Sequence, residues 1–113
     1  MKIIKLSAID STNSFLKDLA LTSAIENFTV VAADSQLKGR GQQGRSWVSE
    51  PFKNLIFSVF VRFESFHVSE KRHLNFAVSL AIFEVLLAEN IPDLAIKWPN
   101  DILSGNKKTC CLL

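Results

Sequence analysis

The chain has 113 residues, 48% of them hydrophobic, with nine Phe, two Trp and a formal charge of +2. That length holds one domain at most, and so much apolar and aromatic material excludes a disordered chain. The small net charge excludes wholesale nucleic-acid binding, and no stretch approaches the roughly 20 apolar residues of a membrane span.

The opening MKIIKLSAIDSTN turns polar too early for a signal peptide. Residues 2–9 read as a short strand. In DSTNSFLKDLAL, Ser11 or Thr12 caps a helix whose apolar stripe is Phe15, Leu16, Leu19 and Ala20. FTVVAAD (28–34) is a β-branched strand. Periodicity then lapses over 35–53 and returns in NLIFSVFVRF (54–63). There Leu55, Phe57, Val59, Val61 and Phe63 share one face, and Ile56, Ser58, Phe60 and Arg62 the other. Apolar residues on both faces predict a strand covered on both sides.

The main helix is expected over 69–89, with Ser69 as N-cap, Glu70 in the first turn and Asn90 ending it. Being apolar around most of its circumference, it should pack on a sheet and beneath further structure. LAIKWPNDIL is a strand entering a Pro-Asn turn. ILSGNKKTCCLL is a hairpin turning at Gly105-Asn106. His67 and His73 lack partners at metal-ligand spacing and read as surface residues. Cys110 and Cys111 are adjacent, so on a strand they point to opposite faces and share neither a disulfide nor a metal. Two reduced thiols fit a cytoplasmic protein.

The stretch KGRGQQGRSW (38–47) carries three of the chain's four glycines. Glycines let backbone N–H groups approach a ligand. Arg40 and Arg45 can bind phosphate oxygens bidentately, and Trp47 offers a face on which a base can stack. A solvated loop and a nucleotide cradle both fit this composition. It is neither a P-loop, whose spacing is absent, nor a dinucleotide fingerprint, because no helical pattern follows Gly44. In KWPND (97–101), polar Asn100 and Asp101 stand where a strand ends, the usual place for a ligand in α/β sheets, and equally the place for an ordinary turn. The Ser11-Thr12-Asn13 triplet is by itself a helix cap. Lys108, on the last strand, is by itself edge decoration.

Taken in order, DSTNSFLKDL, GRGQQGRSWVSEPFKNLIFSV, KWPNDIL and GNKKTCCLL resemble the catalytic domain of biotin protein ligases. The resemblance runs from about Ile9 to Leu113. It implies an α+β fold: a mixed, largely antiparallel sheet, with the 69–89 helix on one face and the 12–21 helix near its edge. It also implies a truncated domain over 1–113. On this resemblance the C-terminal part of the catalytic domain and the small β-barrel domain are expected to be absent, and the lack of a helix-turn-helix pattern before Ile3 disfavours the DNA-binding repressor form.

The resemblance implies ATP-dependent activation of biotin as biotinyl-5′-AMP, with Mg²⁺, followed by transfer to a lysine of a biotin carboxyl-carrier domain. Ser11, Thr12, Asn13, Gln36, Gly39, Arg40, Gly41 and Lys108 would then hold biotin. Arg40, Gln42, Arg45, Trp47, Asn100 and Asp101 would hold the nucleotide, and Arg40 and Lys108 would act in catalysis. No protein ligand for the metal is assigned. Residues 36–50 would close over the intermediate and exclude water. Two positions depart from the family pattern. Gln42 stands where bacterial members have a second arginine, which implies looser retention of the intermediate or a different subfamily. Cys111 stands where glycine is expected, which implies a crowded biotin pocket. The expected partners are biotin, ATP and the carrier domain, with no nucleic acid and no membrane. An open terminal strand invites a homodimer. A catalytically incompetent fragment that binds weakly or self-associates is the alternative. A lipoate ligase is disfavoured because its paired-Arg, Gly-Gly-Gly, Val and His motif is absent.

Overall fold

A computed structural model describes residues 1–40, 44–97 and 101–111. The chain divides into two compact units, Met1–Glu64 and Ser65–Leu113.

The first unit is built on β1 (Ile3–Ile9), α1 (Thr12–Thr22), β2 (Thr29–Gln36), β3 (Gly39–Arg40), β4 (Ser46–Trp47) and β5 (Ile56–Phe60). β1 and β2 run parallel from Ile3↔Val30 to Ile9↔Gln36. Parallel neighbours need a crossover, and α1 supplies it. β5 adds antiparallel on the other side of β2, giving the order β1-β2-β5. α1 packs on β2 and β5. Its expected stripe faces inward: Leu16 is buried, and Phe15, Leu19 and Ala20 are half-buried. On β2 the alternate residues Thr29, Val31 and Ala33 are buried, the period-2 signature of a strand with one face on a core. The aperiodic stretch after β2 contains the short β3–β4 ribbon, pairing Gly39 with Trp47 and Arg40 with Ser46.

The expectation that both faces of β5 are covered fails. Ile56, Ser58 and Phe60 turn inward, whereas Phe57 and Val59 are 48% and 42% exposed. α1 occupies one face of this sheet, and the unit has no second layer for the other.

The second unit comprises α2 (Lys71–Ala88), β6 (Leu94–Lys97), β7 (Asp101–Ser104) and β8 (Lys107–Cys111). The strands form an antiparallel ladder in that order, and α2 packs on β6 and β7. Ile102, with no exposed surface, is the centre of this packing. The helix start differs from expectation. Val68–Glu70 form a 3₁₀ turn closed by Glu70 N–H donating to His67 O at 2.8 Å. Ser69 therefore lies inside that turn, Glu70 takes the cap position, and no side chain caps α2. The end is as expected. Asn90 takes φ 60°, with Asn90 N–H donating to Leu87 O and Ile91 N–H to Leu86 O, a Schellman closure. The expected cover over α2 is missing within its unit: Ser79 is buried, but Phe76, Leu80, Val85 and Leu87 are exposed.

The β7–β8 hairpin turns at Gly105-Asn106, with Ser104 opposite Lys107 and Gly105 at φ 61°. A two-residue hairpin loop needs a positive φ there, and glycine takes it without a Cβ penalty. Together the described ladders make the mixed, largely antiparallel α+β arrangement expected from the sequence. No helix is long and apolar enough to cross a membrane among the described residues.

Candidate functional site

In the first unit the chemistry gathers where β1 and β2 end. The ladder continues past the strands, with Leu37 N–H donating to Ile9 O at 2.9 Å and Lys38 N–H to Asp10 O at 2.7 Å. This locks residues 36–39 beside the turn into α1. Ser11 is the N-cap, and its Oγ accepts from Ser14 N–H at 3.3 Å. Thr12, 3% exposed, opens the helix. Its backbone N–H has no partner within the helix, and it donates instead to Gln36 Oε1 at 3.0 Å. The Thr12 hydroxyl lies 2.9 Å from Ser58 Oγ and 3.5 Å from Gln36 Oε1. Asn13 is exposed on the same turn.

Gln36 also borders an open cleft of about 650 Å³. Ser35, Lys38 and Gly39 line one side of it, and Gly44, Arg45 and Ser46 another. Its third wall, around Val48 to Pro51, is held by Phe52 N–H donating to Asp34 O at 3.0 Å and Glu50 N–H donating to Asn54 Oδ1 at 2.7 Å. Gly39 is buried where β3 leaves the strand end. Gly44, at φ 76°, takes a conformation costly for other residues. The cleft lining thus combines the neutral hydrogen-bonding side chains of Ser35 and Gln36 with the Lys38 and Arg45 cations. It suits a ligand with a neutral polar head and an anionic tail.

The second unit presents a charged pair. Lys108 Nζ lies 3.2 Å from Asp101 Oδ2, the side chains being 42% and 14% exposed. A β-bulge arranges β8 around them. Leu103 faces Lys108 while Ile102 faces Cys110, which leaves Thr109 as the extra residue. The bulge puts Lys108 on the face of Leu103 and Asp101, and turns Cys110 toward the buried Ile102. The Cys110 thiol is free. Burial raises its pKa, and the neighbouring Asp101 carboxylate raises it further. His67 and His73 are exposed, as expected.

Of the residues picked out from the sequence, the structure brings Ser11, Thr12, Gln36, Gly39 and Arg45 to one strand end, and Asp101 and Lys108 to one hairpin face. Gly41, Gln42 and Asn100 lie outside the described residues. For Arg40, Trp47 and Cys111 the description extends to the backbone. Sequence reasoning missed Ser58. Its signal was a lone hydroxyl on the inward face of an otherwise apolar strand.

Residues 6–110 match the Biotin/lipoate A/B protein ligase family. The chain belongs to that family. It is 33% identical over 106 residues to the biotin--[acetyl-CoA-carboxylase] ligase of Mycobacterium tuberculosis, covering 91% of this chain and 40% of that one. The biotin protein ligase of Aquifex aeolicus, solved with biotin and ATP, superposes with a TM-score of 0.76 at 32% identity, over 95% of this chain and 43% of that one. The biotin protein ligase of Leishmania major, solved with biotinyl-5-AMP, gives a TM-score of 0.75 at 30% identity, over 95% and 49%. The chain therefore spans less than half the length of these relatives.

Proposed function

We propose that this chain carries the biotin-activating portion of a biotin protein ligase. The observation that carries the proposal is the bond from Thr12 N–H to Gln36 Oε1. It joins two separate sequence motifs, the helix start and the strand end, beside a cleft that Gln36 and Arg45 both line. Ser11, Thr12, Asn13 and Gln36 offer the neutral hydrogen-bonding groups that a ureido ring needs. Gly39, Arg40 and Gly41 run along the acyl-phosphate. Arg45, Gln42, Trp47, Asn100 and Asp101 serve the nucleotide.

A biotin carboxylate oxygen attacks the α-phosphorus of ATP, the bond to the β-phosphate bridging oxygen breaks, and pyrophosphate leaves. A lysine amine of the carrier domain then attacks the acyl carbon. The acyl–oxygen bond breaks, AMP leaves and the amine gives up a proton. Two anions must meet in the first step. The Lys108 ammonium and the Arg40 guanidinium offset their repulsion as charge builds on the α-phosphate. Mg²⁺ arriving with the triphosphate would add Lewis-acid charge compensation. No group of three or more His, Cys, Asp or Glu side chains among the described residues could cage a metal.

Incubation with biotin and MgATP, followed by mass spectrometry, is expected to reveal biotinyl-AMP and pyrophosphate. Absence of the adenylate, with biotin still bound in calorimetry, supports a second reading. The exposed apolar residues on β5 and α2 favour it: a chain that binds biotin but reacts, if at all, only in association with further protein. Sedimentation of the chain alone then shows self-association.

A further inference from the structure

We infer that Asn54 is a positioning residue: its side-chain oxygen holds the third wall of the cleft against backbone strain at Phe52, and so governs how firmly the cleft keeps an anionic ligand. The ligand half of this inference rests on the biotin reading above.

The wall ends in a closed turn. Lys53 N–H donates to Glu50 O at 3.2 Å, Pro51 takes the second position, and Phe52 takes the third at φ 62°. This is the pattern of a type II turn, whose third position favours glycine. A bulky side chain is disfavoured in that conformation. Phe52 is 82% exposed, so burial of its ring does little to offset the strain. A second cost lies beside the turn. Ser49 lines the cleft, and its hydroxyl is shut off from solvent with no partner among the described residues, which is unfavourable for a polar group.

Two hydrogen bonds tie the turn down, and their direction is fixed because a backbone N–H can only donate. Phe52 N–H reaches Asp34 O on β2 at 3.0 Å. Glu50 N–H reaches Asn54 Oδ1, just ahead of β5, at 2.7 Å. Among the described residues, Asn54 supplies the only side-chain hydrogen bond to the backbone of residues 48–53. The Lys53–Glu50 ion pair is 75% and 69% exposed, and such a pair contributes little. The Asp34 anchor is main chain and survives substitution, whereas the other anchor depends on Asn54. Without Asn54, the strain at Phe52 and the stranded Ser49 hydroxyl both favour release of Val48–Pro51 from the cleft. This wall directly follows Trp47, which the biotin reading gives to the nucleotide. The loss should therefore fall on the nucleotide end of the ligand.

The anchor is tested without ligand by NMR. In Asn54→Ala, the Glu50 amide should exchange about tenfold faster. Asn54→Asp, which keeps an oxygen acceptor, should stay within about threefold of wild type. Phe52→Gly accepts φ 62° without strain and should slow the exchange by about threefold. Combined with Asn54→Ala, it should bring the exchange back near wild type. Unchanged Glu50 exchange in Asn54→Ala, or no recovery in the double variant, overturns the inference. Asn54 is exposed, so the melting temperature should stay near wild type. A large fall, or failure to fold, marks Asn54 as structural and also overturns it.

The ligand arm follows release of biotinyl-AMP by tryptophan fluorescence. Release should be about tenfold faster from Asn54→Ala, with biotin affinity within about twofold of wild type. Asn54→Asp and the double variant should release it near the wild-type rate. Unchanged release from Asn54→Ala, or an equal loss of biotin affinity, overturns the role in retention. A wild type that binds neither biotin nor biotinyl-AMP overturns the biotin reading instead, and the exchange rates still decide what Asn54 holds.

Discussion

Thr12 and Gln36 in the first unit are neutral, sheltered and held by hydrogen bonds between a helix start and a strand end. Asp101 and Lys108 in the second are charged, partly wet and held by an ion pair across a bulged hairpin. On the proposed function, the difference follows from the work each would do. Neutral groups discriminate shape and hydrogen-bond direction, so they gain from burial that fixes their rotamers. Charges that must reach reacting anions gain from staying loosely partnered, since a partly exposed ion pair contributes little stability and is cheap to break.

The largest effect that would sharpen this contrast is on chemistry. Lys108→Ala is expected to lower the rate of adenylate formation by roughly 100- to 1,000-fold, well beyond its loss of biotin affinity, while leaving the melting temperature near wild type. A large loss of stability instead would mean that Lys108 is structural. Next come the two cores. Leu16→Ala under α1 and Ile102→Ala under α2 remove buried packing, and each should cost about 2–5 kcal/mol in denaturant unfolding.

How far this contrast could be read from the sequence depends on distance along the chain. The stripe Phe15, Leu16, Leu19 and Ala20, the Ser11 cap and the Asn90 stop are local patterns, and each appears as expected. Ser69 as a cap was misread, because a 3₁₀ turn and a helix share the same opening residues. Ser58 was missed for a different reason. Its partner lies 46 residues away, and the lone hydroxyl in NLIFSVF does not say what it meets.

Smaller tests follow. Ser11→Ala removes the side-chain acceptor for Ser14 N–H and is expected to cost about 1 kcal/mol, read by thermal melts. Asp101→Asn should cost under about 1 kcal/mol. Raising salt should narrow the gap between variant and wild type; a gap that salt leaves intact would show that the pair is better shielded than its exposure implies.

The smallest effect concerns Cys110, measured in a Cys111→Ser background. Its thiol is raised above the ordinary 9.0 by burial and by Asp101. At pH 8.5, alkylation should therefore be slower in the folded protein than in urea. Because the folded value is raised, the associated stability is fully present below the unfolded value and declines as pH climbs through the folded one. Equal alkylation rates would place Cys110 in a wetter setting than its packing beside Ile102 suggests.

The sequence by itself determined the order of the longer elements, the α1 stripe, the hairpin turn and the run of motifs that marks the family. All of these are set by residues a few positions apart, whose spacing follows from helix and strand geometry. Only the tertiary structure decided that Thr12 meets Gln36 and Ser58, that a bulge turns Lys108 toward Asp101 and Cys110 away from it, and that β5 is covered on one face. Hydrogen-bond direction and burial depend on which distant elements meet, and alternation along a strand marks two faces without saying which of them is covered.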